Sequence, residues 1–166
     1  AAIISNNIGQ VRRDPMAMLP FCGYNMADYF THWLSMAIRT NKDKLPKIFF
    51  VNWFRKDANG NFMWPGYGDN SRVLKWICDR IDGKVTGQDT PIGILPKPEE
   101  LDMTGADDAT KANIPALLTV DKEGWLKELD GVAQNYAKLN DPKFGSRLPY
   151  ALTAKLAEIK AAIEKL

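Results

Sequence analysis

Apolar residues follow two rhythms along this chain. Met26, Tyr29, Phe30, Trp33 and Ala37 fall at helical spacing behind Asn25, a residue able to cap, and the stripe stops near Thr40 and Asn41. The pattern predicts a helix. Lys47 to Phe54 is then almost continuously apolar and rich in Ile, Val and aromatic residues, which predicts a central strand covered on both faces. Asp57 to Asn61 offers Asp, Asn and Gly for a turn, so the chain is expected to return through Phe62, Met63 and Trp64 as a hairpin-like arm. Pro65 and Gly66 break that arm. A second helix is predicted from Asn70 or Ser71, both suited to capping, through Val73, Leu74, Ile77 and Ile81 to a stop at Gly83.

The remainder is plainer. Thr86 to Asp108 contains Pro91, Pro96 and Pro98 and reads as loop, with one short strand expected at Ile92 to Leu95. Trp125, Leu129, Val132, Tyr136 and Leu139 then repeat at helical spacing, as do Leu152, Leu156, Ile159, Ile163 and Leu166. Two amphipathic helices packed antiparallel are expected. At the other end, Ala1 to Gly9 is small, polar and Gly-punctuated and reads as a mobile loop, after which Pro15 and Pro20 keep the chain extended. The fold class expected is α+β, with short strands and several amphipathic helices.

Composition narrows the function classes. At 166 residues, 45% hydrophobic and 25% charged, the chain fits one compact domain or a piece of a larger protein and not a disordered tail. Lys and Arg number 22 against 20 acidic residues, and a net charge of +2 argues against a broad phosphate-backbone footprint. No nucleic-acid partner is expected. Apolar runs such as Ile48 to Val51 are too short to cross a membrane, so a soluble protein is expected. Cys22 and Cys78 form no Cys-x-x-Cys pair and suit a reducing compartment. The chain opens on Ala1 with no signal-peptide pattern, which suggests a fragment whose N-terminus lies upstream.

Most candidate motifs fail on chemistry. Gly83-Lys84 resembles the end of a phosphate-cradling loop, but Val85 follows where Ser or Thr is needed to hold magnesium. Gly66-x-Gly68-x-x-Ser71 lacks the third glycine of a dinucleotide fingerprint, and Pro65 crowds the strand that should precede it. His32 is the only histidine, so no His-based metal cluster exists, and a structural role is expected for it. Glu99-Glu100 and Asp107-Asp108 are paired acids in loop-like surroundings and read as solvated.

One stretch differs. Of the 17 aromatic residues, 13 lie between Phe21 and Trp76, and Asn52 to Asn70 interleaves Trp53, Phe54, Phe62, Trp64 and Tyr67 with glycines and amides. Flat rings can sandwich a planar heterocycle, and a carboxamide can match a base edge such as that of guanine. Such rings are equally the makings of a hydrophobic core, and glycans or single-stranded RNA would stack on them too. Arg55 and Lys56 could meet phosphates or simply flank a solvated turn.

Four separate segments then point to a family. Arg13-Asp14-Pro15-Met16-Ala17-Met18 with Pro20-Phe21-Cys22-Gly23-Tyr24-Asn25, KIFFVNWFRKD at Lys47 to Asp57, FMWPGYGDNSRVLKWICDRIDGK at Phe62 to Lys84 and TPIGILP at Thr90 to Pro96 resemble, in order and spacing, the C-terminal portion of GTP-dependent phosphoenolpyruvate carboxykinases. The resemblance implies reversible, metal-dependent conversion of oxaloacetate and GTP into phosphoenolpyruvate, GDP and carbon dioxide, a lyase reaction of gluconeogenesis with phosphoryl transfer. It places Phe54 and Phe62 on the two rings that sandwich guanine, Tyr67 on a third aromatic position and Asn70 on the amide that reads the base edge. Gly68 and Asp69 complete that loop. Tyr67 departs from the Phe commonest in the family and adds a hydroxyl that needs a partner.

The resemblance also implies a division of the chain. Residues 1–12 would belong to a mobile active-site lid, 13–110 to the guanine-binding portion and 111–166 to a C-terminal helical pair. Phosphate-binding loop, oxaloacetate-binding arginines and the ligands of Mn2+ or Mg2+ would lie upstream of Ala1, so no catalytic or metal-binding residue is expected here. The segment alone should be inactive, because phosphoryl transfer needs positioned metal and cationic charge that a base pocket does not supply. The whole enzyme is expected to be a cytoplasmic monomer whose partners are its own remaining polypeptide and its small-molecule substrates. The competing class is a non-catalytic aromatic module that binds nucleotides or glycans.

Overall fold

The computed structural model describes residues 13–14, 18–140, 143 and 147–166. The stretch expected to belong to a lid, residues 1–12, and Pro15 lie outside the described residues. Five α-helices and one two-stranded sheet make the described chain α+β. It divides into two compact units, Pro46–Asp121 and the described part of Ala1–Leu45 together with Lys122–Leu166.

In the second of these, helix α1 spans Met26–Arg39. Asn25 caps it as its sequence predicts, its side-chain oxygen accepting from the Ala27 N–H at 2.8 Å while its amide nitrogen donates to the Leu139 carbonyl at 2.9 Å. Helix α4, Lys122–Leu139, and helix α5, Tyr150–Glu164, are the two expected from the heptad-like stripes. They run antiparallel: Lys122 at the start of α4 donates to the Glu164 carbonyl at the end of α5, and Lys160 meets Asp130 at 2.9 Å. Leu129 and Ile163 are buried within this unit. Arg13 pairs with Glu128 of α4, and its hydrogen bond to that carboxylate raises the guanidinium's affinity for its proton.

The unit Pro46–Asp121 carries the aromatic stretch. Its core is Trp64, Trp76, Leu101 and Ile114, with Phe49, Trp53, Val73 and Ile77 packed against them. Helix α2, Asn70–Ile81, supplies Trp76. Gly83, at φ 75°, ends that helix in a conformation glycine adopts without penalty, and the Lys84 N–H reaches back to the Asp79 carbonyl at 2.8 Å. Gly83-Lys84 is therefore a helix stop.

Two expectations are corrected here, and one helix stands where none was predicted. Lys47 to Phe54 is extended but forms no strand: Phe49, Val51 and Trp53 are half-buried, whereas Ile48 is 82% and Phe50 90% exposed. Only one face is covered, because no described strand lies alongside to extend a ladder. Strand β2, Gly93–Leu95, matches the predicted short strand, but it pairs antiparallel with an unpredicted strand β1, Gln88–Thr90. Finally, helix α3, Asp108–Leu117, occupies sequence without a clean apolar stripe and with Pro115 inside it. Asp107 starts it, accepting from the Thr110 N–H at 2.7 Å and hydroxyl at 2.8 Å, which hold its carboxyl below the usual range.

Candidate functional site

The aromatic stretch resolves into an inner and an outer set. Trp53 and Trp64 turn inward with ring centroids 6.4 Å apart, and Trp64 belongs to the core. Phe54, Phe62 and Tyr67 face solvent, at 71%, 59% and 99% exposure. The core reading therefore holds for Trp53 and Trp64, while Phe54, Phe62 and Tyr67 are the rings of this stretch left exposed.

The hairpin-like arm brings Phe54 and Phe62 together. Lys56 bridges to Phe62, the Met63 N–H donates to the Arg55 carbonyl at 3.0 Å, and the Asp57 side chain accepts from the Asn59 and Asn61 N–H groups at the turn. Phe54 and Phe62 meet edge-on, with centroids 6.1 Å apart and planes at 62°. The rings are neighbours, but they do not stand parallel as an open slot. Lys56 Nζ lies 4.9 Å from the Phe62 centroid, a cation over a ring face. Arg55 is committed elsewhere, donating to the carbonyls of Leu117, the last residue of α3, at 3.2 Å and of Thr119, just beyond it, at 2.9 Å.

Tyr67 is the one positive-φ residue other than glycine among the described residues, at φ 51°. A left-handed conformation costs an ordinary side chain about 1–2 kcal/mol. Nothing in packing offsets that cost, since the ring is fully exposed. Gly66, at φ 74°, sets up the same turn, a short 3-10 helix over Tyr67–Asp69 that leads into α2.

Asn70, Asp69 and Gly68 sit at the head of α2. Asn70 is its first residue and does not cap it, contrary to the sequence expectation; its Oδ1 accepts the Trp64 indole N–H at 2.8 Å. Among the described residues its amide nitrogen has no partner. Asp69 pairs with Arg72 at 2.8 Å, and Arg72 also donates to the carbonyls of Asp102 and Thr104. The Gly68 carbonyl accepts from Ser71 Oγ at 2.7 Å. Gly68 and Asp69, with Ser71, Arg72, Lys75 and Asp102, line a shallow, open depression of about 510 Å³.

Glu100 is where sequence reasoning went furthest astray. Burial raises its carboxyl pKa, but hydrogen bonds from the Trp76 indole and the Gly87, Lys97 and Thr86 N–H groups overcome this and bring it to about 2. It ties α2 to the β-hairpin and is far from a freely solvated acid. His32 is exposed and Cys22 and Cys78 are unpaired thiols. No group of three or more His, Cys, Asp or Glu side chains able to hold a metal ion occurs among the described residues.

Residues 1–162 match the family model of the phosphoenolpyruvate carboxykinase C-terminal P-loop domain. The chain belongs to the GTP-dependent phosphoenolpyruvate carboxykinase family. It is 53% identical over 163 residues to phosphoenolpyruvate carboxykinase [GTP] of Treponema pallidum (strain Nichols), covering 98% of this chain and 26% of the relative. The proteins of the same name from Neocallimastix frontalis and Chlamydia abortus are 52% and 54% identical. Those alignments cover 94% and 92% of this chain and 25% and 24% of the two relatives. The chain thus spans about a quarter of the length of the curated relatives it matches. No helix among the described residues is long and apolar enough to cross a membrane.

Proposed function

We propose that this chain supplies the guanine-binding surface of a GTP-dependent phosphoenolpyruvate carboxykinase, which converts oxaloacetate and GTP into phosphoenolpyruvate, GDP and carbon dioxide. The observation that carries this proposal is the outer aromatic set: Phe54, Phe62 and Tyr67 are bare to solvent, and the amide nitrogen of Asn70, three residues after Tyr67, has no described partner. Phe54 and Phe62 take the base between them once one ring turns out of its edge-on contact, a rearrangement open to exposed side chains. Tyr67 adds a third face and Asn70 reads the base edge, while Gly68 and Asp69 shape the backbone beneath. Lys56, already over the Phe62 ring, brings a cation to that part of the surface.

The family implies a divalent cation, Mn2+ or Mg2+. Its ligands are assigned, on the family resemblance, to polypeptide outside this chain; among the described residues no group of three or more His, Cys, Asp or Glu side chains fits one. Residues 1–12 are assigned to a lid, residues 13–110 to nucleotide binding and residues 111–166 to helical support. The enzyme is proposed to act as a cytoplasmic monomer in gluconeogenesis, a reducing setting that suits two unpaired thiols. A glycan- or nucleotide-binding module without catalysis would explain the exposed rings, but not a family match that spans nearly the whole chain.

Phe62→Ala in the intact polypeptide tests the stacking role. Base stacking on an aromatic side chain is worth about 1–3 kcal/mol, so GTP affinity should fall roughly 5- to 150-fold. Unchanged GTP affinity would remove Phe62 from the site.

A further inference from the structure

Trp64 lies 6% exposed in the core, yet its one polar atom reaches out of that core to Asn70. An indole N–H only donates, so the amide must turn its oxygen toward it; the two ends of the Asn70 side chain are not interchangeable here. The oxygen accepts from Trp64 at 2.8 Å, and the NH2 group is the end left without a described partner. Asn70 is also the first residue of α2, whose Trp76 is anchored in the same core, so neither partner of this bond drifts independently.

We propose that Trp64 is a positioning residue that fixes Asn70 as a hydrogen-bond donor and thereby sets purine specificity. A donor amide suits a purine carrying an acceptor at its 6 position, as guanine and hypoxanthine do. Adenine carries a 6-amino donor there and meets a donor head-on, an arrangement that penalises the wrong base in addition to rewarding the right one. A freely rotating amide would accept either edge. Specificity on this account originates in a core tryptophan that does not itself touch the nucleotide, and it rests on the nucleotide site proposed above.

The test is Trp64→Phe in the intact polypeptide, which keeps an aromatic ring in the core, smaller than the indole, and deletes the N–H. Affinities for GTP, ITP and ATP are measured by displacement of a ribose-labelled fluorescent GTP. GTP and ITP should weaken together by about fivefold, the size of one neutral hydrogen bond, while ATP holds or tightens. In an Asn70→Ala background the same substitution should leave the GTP to ATP ratio unmoved. Equal weakening of all three nucleotides would make Trp64 a packing residue only, and an unchanged ratio would likewise overturn the proposal.

Should Trp64→Phe fail to fold, Asn70→Asp gives an independent test. One carboxylate oxygen takes the indole N–H and the other faces the base as an acceptor, so preference should move from GTP toward ATP. Retained GTP preference in that variant would contradict the proposal. A wild-type protein that binds GTP and ATP equally strikes the nucleotide site itself, and this proposal with it; a GTP-selective wild type with a neutral Trp64→Phe strikes only the role of Trp64.

Discussion

Glu100 shows how much a single residue can owe to its fold. Its four N–H partners come from Trp76, Thr86, Gly87 and Lys97, spread over more than twenty positions of sequence, and they hold its pKa at about 2. The ordinary value is 4.5, so the native state favours the ionised form. The contribution is fully present above pH 4.5 and is lost as pH falls toward about 2. Glu100→Gln should therefore lower hydrogen-exchange protection of the Thr86 to Lys97 backbone at neutral pH, and the difference from wild type should narrow below pH 4.5. An unchanged exchange pattern at neutral pH would contradict the clasp. Nothing in the pair Glu99-Glu100 announces this, because the donors are gathered only once α2 and the hairpin have packed. The bond from Trp64 to Asn70 was invisible for the same reason, whereas the candidate residues themselves were found through the motif in which they stand.

Elements were legible where one face of the chain meets a core. Helices α1, α4 and α5 follow their apolar stripes because burial of that stripe decides their structure, whereas α2 packs Val73, Trp76 and Ile77 and leaves Leu74 and Ile81 more than half exposed. Strand β1, Gln-Asp-Thr, has no apolar alternation to read, and α3 is held by its Asp107 cap despite Pro115. Capping also governs α1. Asn25→Ala removes the acceptor for the Ala27 N–H and should destabilise the native state by about 1 kcal/mol, read as a lowered urea midpoint of the intact polypeptide with an unchanged slope. The additional bond to the Leu139 carbonyl makes a smaller loss than this inconsistent with the structure. Asn70 and Asn25 both stand at helix starts, and sequence alone does not say which one caps.

At the scale of the molecule, the extended segment before Phe54 explains why its apolar run was read as a buried strand. Ile48 and Phe50 stand bare on one side while Phe49, Val51 and Trp53 pack on the other. The relatives are about four times as long as this chain, and the apolar pattern of both faces is that of a strand with neighbours. In the intact polypeptide the Ile48 to Trp53 amides should accordingly be protected from hydrogen exchange; rapid exchange there would show that the outer face stays uncovered. The central claim is that the surface of Phe54, Phe62, Tyr67 and Asn70 binds guanine. Its most direct test is tryptophan fluorescence of the intact polypeptide titrated with GTP and with ATP, for the wild type and Asn70→Ala. The account predicts clear preference for GTP in the wild type and its collapse toward equal affinities in the variant, whereas equal affinities in the wild type, or full GTP preference in Asn70→Ala, would contradict it.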